Sequence, residues 1–291
     1  MKHSFSILVL SALSLAAACA FAATPDGKGG GLASTPREEA GAATQIVFHG
    51  GPVMNKAKGV NVYLIWYGDW TGNTATTIIP KFVEDLSGSP YFNINTTYYG
   101  NGNVFVRNKV NLQAQVNDNY SQGSRLTDAK IKAIVKNSMT TGALPKDANG
   151  VYFVLTSQDV NETSGFCTVY CGWHTHGTLF SKDIKYSFVG NPDRCLNSCA
   201  IQSTSPNNNA GADGMASIVA HELEESVTDP DLNAWYFPNG QENADACAWT
   251  FGPEYTVANG SLANMNMNGT DYLIQQNWIQ ATSGRCAVAY P

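Results

Sequence analysis

Residues 221–231 read HELEESVTDPD and hold the side chains best suited to chemistry in this chain. Helical residues four apart lie about 40° apart around the axis, so His221 and Glu225 project together and could grip one ion, while Glu222 points in a neighbouring direction. The stretch opens like the H-E-x-x-H of a zinc protease but puts Glu225 where the second histidine would stand. A bare H-E-x-x-E is a weak motif, and a solvated helix face carrying a histidine and acids is the plain alternative. Electrostatics count against that alternative. Glu224 and Glu225 occupy the C-terminal half of the helix, where the macrodipole disfavours anions by about 0.3–1 kcal/mol each. Five acids fall within these eleven residues with no basic residue among them. A divalent cation removes the conflict.

Pro230 disfavours the α conformation at Asp229, so the helix is predicted to end there and to turn the Asp229 carboxylate toward the site. Downstream, WYFPNGQENADAC at 235–247 brings Glu242 and Asp245 on a turn that Cys247 could tether. Asp229 and Glu242 rank first as completing ligands, with Asp231, Asp245 and His176 as alternatives. In CGWHTHG, residues 171–177, His174 and His176 share a face if the segment is extended and could bind metal or complete the site. A polar loop stapled by Cys167 and Cys171 describes them equally well. His49, before a Gly-Gly-Pro turn, reads as structural.

If the cation is Zn2+ with an open position, it acidifies a water, and Glu222 takes the proton as that water attacks a peptide carbonyl. Charge counting weakens the idea. Two histidines and one glutamate leave Zn2+ at +1, whereas His221, Glu225 and one further carboxylate leave it neutral. Carboxylate-rich ligation also suits Ca2+ or Mn2+ in a structural role.

The elements that must position these residues follow from periodicity. VNVYLIWY at 60–67, VYFVLTS at 151–157 and KYSFVG at 185–190 are apolar runs rich in β-branched and aromatic residues, predicted as central strands. Helices are predicted at about 76–88 and at 127–139, and a third after Asp213. In that third helix Met215, Ile218, Val219, Leu223 and Val227 gather on one side, which leaves His221 and Glu225 toward a cleft. The alternation predicts a single α/β domain, a central mixed β-sheet with packed helices. From about residue 257 to 277, Asn and Gly crowd the sequence, which reads as loops and short strands.

The N-terminus, with Lys2, an apolar run from about residue 6 to 18 and Ala20-Phe21-Ala22, reads as a signal peptide over residues 1–22. Residues 23–44, rich in Gly, Pro and Ala, read as a flexible leader, and 45–291 as the folded domain. No later segment has the roughly 18 uninterrupted apolar residues of a membrane span. An extracellular location is therefore expected, with periplasm or cell wall as variants. With Cys19 set aside, six cysteines remain, and in an oxidising compartment they read as three disulfides. The expected pairs are 167 with 171, 195 with 199, and 247 with 286. The formal charge is −6, and between Cys195 and Gly284 there are ten acids and no Lys or Arg. Such a surface excludes nucleic acid as a favoured partner and points to a bound cation.

FHGGPV (48–53), VNVYLIWYG (60–68), VYFVLTSQDV with GFCTVYCGWHTHG (151–177), YSFVGN (186–191) and SVTDP (226–230) together resemble the EXORDIUM or phosphate-induced protein family. The resemblance runs in order over most of the chain. It implies a secreted or wall-associated protein linked to growth and supplies no settled reaction. Plant members carry T-V-T-N-P at the end of the corresponding helix without the H-E-x-x-E, so no catalytic residue carries over from them. A sheet, a backing helix and then an H-E helix is also similar to the zincin metallopeptidases, with Met265 or Met267 standing for a methionine turn. Two expectations result. One is a zincin-like metallohydrolase acting on peptides, with His221, Glu225, Asp229 and Glu242 as ligands of Zn2+ or another divalent cation such as Ca2+, and Glu222 as base. The other is a non-enzymatic extracellular protein, a binder of cell-wall polymer or carbohydrate, with a structural ion.

Overall fold

The structure, a computed structural model, describes residues 23–29, 31–33, 45–281 and 284–291. The signal-peptide reading at 1–22 and the leader between 34 and 44 lie outside the described residues. Among the described residues, no helix is long and apolar enough to cross a membrane.

Five strands form the central sheet: β1 (Val60–Tyr67), β2 (Val110–Asp118), β3 (Gly150–Thr156), β4 (Gly172–Leu179) and β5 (Lys182–Gly190). Their spatial order is β2-β1-β3-β5-β4. All neighbours are parallel except β5 and β4, which form an antiparallel hairpin around Phe180 and Ser181. This is the expected mixed sheet. Its interior strands β1 and β3 are apolar on both faces and almost wholly buried, as parallel strands covered on two sides must be. β2 and β4 escape an apolar-run reading because they are edges: VNLQAQVND alternates half-exposed positions, and GWHTHGTL carries a buried His174 among polar neighbours. As the last strand in the order, β4 has one side of its backbone turned away from the sheet.

Three long helices pack on the sheet: α1 (Ala75–Leu86), α2 (Asp128–Thr140) and α3 (Ala210–Thr228). All match the predicted positions to within a few residues. α3 starts where the Asn209 side chain accepts the Ala212 N–H and ends at Asp229, before Pro230. It lies against α1 on one side and β4 on another, and the loops at 242–249 and 273–278 close over it. It is buried along almost its whole length, polar face included.

The disulfides correct part of the expectation. Cys247 pairs with Cys286, but Cys167 pairs with Cys195 and Cys171 with Cys199. The two C-x3-C segments lie side by side, with the 167–171 loop beside the single helical turn Leu196–Cys199, so each cysteine meets the equivalent position of the other segment. Both bridges span 28 residues. They clamp the entry to β4 onto the segment leading into α3.

Residues ahead of position 34 make backbone contacts with the domain. The Ala23 N–H donates to the Pro238 carbonyl at 3.0 Å, the His174 N–H to the Gly27 carbonyl at 3.0 Å, and the Ala33 N–H to the Ser198 carbonyl at 2.8 Å. Residues 23–29 are therefore part of the folded body, because they supply backbone partners to loops and to the outer edge of β4.

Candidate metal centre

α3 carries His221, Glu222 and Glu225 into the space between the helix and β4. Across that space β4 presents His174, and the turn at Asp245–Cys247, tethered by the Cys247–Cys286 bridge, brings Glu242 and Asp245. His174 Nε2 lies 3.1 Å from Glu242 Oε2 and 3.6 Å from Glu225 Oε2. His221 Nε2 lies 3.1 Å from Glu225 Oε1 and 3.4 Å from Asp245 Oδ1. The donors thus fall into two overlapping sets, His174–Glu225–Glu242 and His221–Glu225–Asp245, each within 4.8 Å and joined by the two oxygens of Glu225. All five side chains are at most 5 % exposed. The Asp245 N–H donates to Glu225 Oε1 at 3.0 Å and the Glu242 N–H to Asp245 Oδ2 at 3.1 Å, so the backbone of the turn also serves the carboxylates.

Burial and mutual charge set the protonation of the group. Burial, with the charges of Asp245 and its neighbours, raises Glu225 to about 7, though His221 pulls the other way. Burial raises Glu222 and Glu242 well above the ordinary glutamate range, reinforced by the surrounding carboxylates. Burial would depress His221, but Glu225 and Asp245 outweigh it and raise that imidazole well above its usual value. Burial would raise Asp245, yet its hydrogen bond to His221 and the charge of that imidazole hold it low. His174 is pushed down to about 3, mainly by burial, and stands as a neutral imidazole. Three carboxylates and two imidazoles thus contest a few protons in a largely buried space.

Of the residues expected from sequence, His221, Glu225 and Glu242 come together here. Glu222 lies beside them. Among the described residues its Oε2 has no hydrogen-bond partner, and its Oε1 would stand 3.1 Å from a Cβ placed on Gly172. It lines a narrow crevice with His221, Gly172, Gly29 and Gln275. Asp229 does not join. Its Oδ1 accepts the Asn233 and Ala234 N–H groups, both at 2.6 Å, and so it caps the chain reversal after α3 rather than a cation site. His174 and Asp245 complete the cluster. Sequence ranks Asp245 as an alternative and leaves His174 open to a loop reading; strand pairing of β4 decides the second point. His176 and Asp231 meet elsewhere, near Asp183 and Lys185 at the partly exposed end of β4. His49 stacks on Tyr236 with ring centroids 3.6 Å apart. Met265 and Met267 lie in a short hairpin, paired with Tyr272 and Thr270. Trp173 and Trp235 are fully buried and present no ring face on which a carbohydrate could stack.

The fold and site together define an α/β domain whose sheet edge, helix and tethered turn enclose a cluster of two histidines and three carboxylates. The conserved region of phosphate-induced protein 1 matches residues 46–287, and the chain belongs to that family. It is 31 % identical over 279 residues to Protein EXORDIUM-like 3 of Arabidopsis thaliana, covering 82 % of each chain. It is 29 % identical over 269 residues to Protein PHOSPHATE-INDUCED 1 of Nicotiana tabacum, covering 77 % of this chain and 82 % of the relative. No solved structure matches the chain.

Proposed function

We propose that the protein is an extracellular metal-dependent hydrolase whose cation is held by His174, His221, Glu225, Glu242 and Asp245, with Glu222 as general base. The observation that carries this reading is the gathering of five buried donors, two imidazoles and three carboxylates, around the two oxygens of Glu225. The donor-to-donor distances of 3.1–3.6 Å suit bonds of about 2.0–2.1 Å, whose tetrahedral edge is about 3.3 Å. The histidines present Nε2 to the centre, as neutral imidazole ligands do, and His174 already has the required charge state. A cluster of this sort without a cation is costly, since each buried carboxylate must be protonated or paired.

Overlap at Glu225 allows either one cation or a Glu225-bridged pair. One divalent ion against three carboxylates leaves the centre at −1, and two leave it at +1. The charge count favours the pair, which also answers the objection that a neutral site acidifies water poorly.

A bound cation supplies Lewis acidity that lowers the pKa of a water in the crevice. Glu222 Oε2 accepts one proton from that water as its oxygen bonds to the carbonyl carbon of a substrate. The same proton passes to the leaving amine nitrogen as the C–N bond breaks. The family relatives and three disulfides support an extracellular location.

Elemental analysis of the purified protein, with chelator-sensitive cleavage of a denatured protein substrate, tests the reading. One or two equivalents of Zn2+ or Mn2+ are expected in wild type and in Glu222→Gln, with cleavage only in wild type. A wild type without stoichiometric metal would sink the proposal. Metal with full retention of cleavage in Glu222→Gln would remove Glu222 as base.

A further inference from the structure

The outer edge of β4 is occupied at His174. Its N–H donates at 3.0 Å to the carbonyl of Gly27, so a tight turn of the chain's own N-terminal segment, in which the Lys28 N–H donates to Asp26 Oδ1 at 2.9 Å, is seated against the sheet edge. Two residues on, Gly29 passes over the metal centre so closely that a Cβ there would stand 1.9 Å from Asp245 Oδ1. Gly27 is equally constrained: its φ is +69°, and a Cβ would meet the His174 carbonyl oxygen at 2.0 Å. Between them Lys28 enters a built pocket. Its Nζ is 2.6 Å from Asp128 Oδ2 and 3.2 Å from Ser164 Oγ, and it stands over the rings of Tyr170 at 5.3 Å and Trp173 at 5.5 Å. Tyr170 is itself fixed by hydrogen bonds to Glu162 and Ser164, and Ser164 donates to Asp128 at 2.6 Å, so the pocket is held from behind.

This combination is selective chemistry rather than packing. An apolar leader would cover a crevice without an acidic, aromatic-walled pocket for one ammonium group. We infer that the edge of β4 is a peptide-binding groove that recognises a glycine turn with a basic side chain between two glycines, and that residues 26–29, Asp-Gly-Lys-Gly, fill it as a self-ligand. As a statement of substrate class this rests on the hydrolase reading, because the glycine after the lysine is the residue set against Asp245 and the Glu222 crevice. The groove itself rests only on the contacts above. The self-ligand must leave before another peptide can enter.

The test uses the full chain and its variants Gly29→Leu and Lys28→Ala. Gly29→Leu cannot keep the segment over Asp245, and Lys28→Ala removes the anchor without adding bulk. Hydrogen exchange at the His174 amide should be slow in wild type and at least tenfold faster in both variants. The peptide acetyl-Pro-Asp-Gly-Lys-Gly-amide, followed by fluorescence anisotropy of a labelled form, should bind both variants at least tenfold more tightly than wild type. Replacing its lysine by alanine, or adding Asp128→Asn to Lys28→Ala, should weaken binding at least tenfold. Equal exchange at His174 in wild type and both variants, or no binding of the peptide to either variant, would overturn the groove. Metal content measured on the same samples separates the two ideas. A protected His174 amide in a metal-free wild type defeats the metal reading alone, and a metal-loaded wild type with an unprotected amide defeats the groove alone.

Discussion

Replacing Glu225 by glutamine should reverse the order of stability between wild type and variant when metal is added. Glu225 is the shared donor, and burial with neighbouring carboxylates moves its carboxyl from 4.5 to about 7. A group raised in the folded state contributes its full stability below pH 4.5 and loses it as pH rises through 7. At pH 8, in protein stripped by chelator, the charged Glu225 therefore costs about 3 kcal/mol relative to a neutral isostere. Glutamine still accepts the Asp245 N–H, and the pull of the His221 imidazolium is already contained in the value of about 7, so the net gain of the variant should be about 2–3 kcal/mol. For a domain of this size that is a rise of about 4–12 °C in Tm. Metal at a hundredfold excess over Kd stabilises wild type by about 2.7 kcal/mol, and the variant, lacking the shared carboxylate, should gain little. Scanning fluorimetry at pH 8, with chelator and then with Zn2+, reads both. If glutamine destabilises the stripped protein, or if the variant shows the same metal-induced shift as wild type, Glu225 is not the hub of a cation site and the reasoning fails.

Asp229→Ala should keep wild-type metal content yet lose about 1–3 kcal/mol in urea unfolding, because the N–H groups of Asn233 and Ala234 lose their acceptor. His174→Ala should do the opposite to metal content, lowering it at least tenfold at limiting metal. Removing both Cys167–Cys195 and Cys171–Cys199 by serine substitution should cost about 3–4 kcal/mol, the closure entropy of a loop of 28 residues, whereas removing either alone should cost much less because the other still closes almost the same loop. Metal affinity should rise between pH 6 and 8, since Glu225, at about 7, and the raised His221 must give up protons to become ligands. Calorimetry in two buffers of different ionisation enthalpy should show proton release, and affinity independent of pH would contradict it.

The interior strands β1, β3 and β5 and all three long helices are legible in the sequence because their burial imposes a pattern on one segment at a time. The edges are not. β2 and β4 have half-wet or functional side chains, and nothing in VNLQAQVND or GWHTHGTL alone says which is paired. The cysteines mislead for a related reason: a C-x3-C spacing suggests a local bridge, but pairing depends on which segment lies alongside, and that is decided by how the entry to β4 meets the approach to α3.

The site divides along the same line. His221, Glu222 and Glu225 are visible because helical spacing fixes their relative directions, and Glu242 because its turn is tethered by a cysteine. Asp229 is misplaced by sequence for a physical reason: the proline that ends the helix also creates a tight reversal, whose free N–H groups at Asn233 and Ala234 claim the carboxylate at 2.6 Å. His174 needs the topology, since only pairing β4 with β5 and packing α3 against it sets a strand histidine opposite a helix glutamate. Helical periodicity alone assigns the polar side of α3 to an open cleft, but that side is buried. A solvated H-E-x-x-E could carry its charges at little cost, whereas this one has three carboxylates in the interior and a neutral His174 beside them. The change from surface to interior leaves a weak motif with buried carboxylates that must be protonated or paired, which is the ground for the proposed cation.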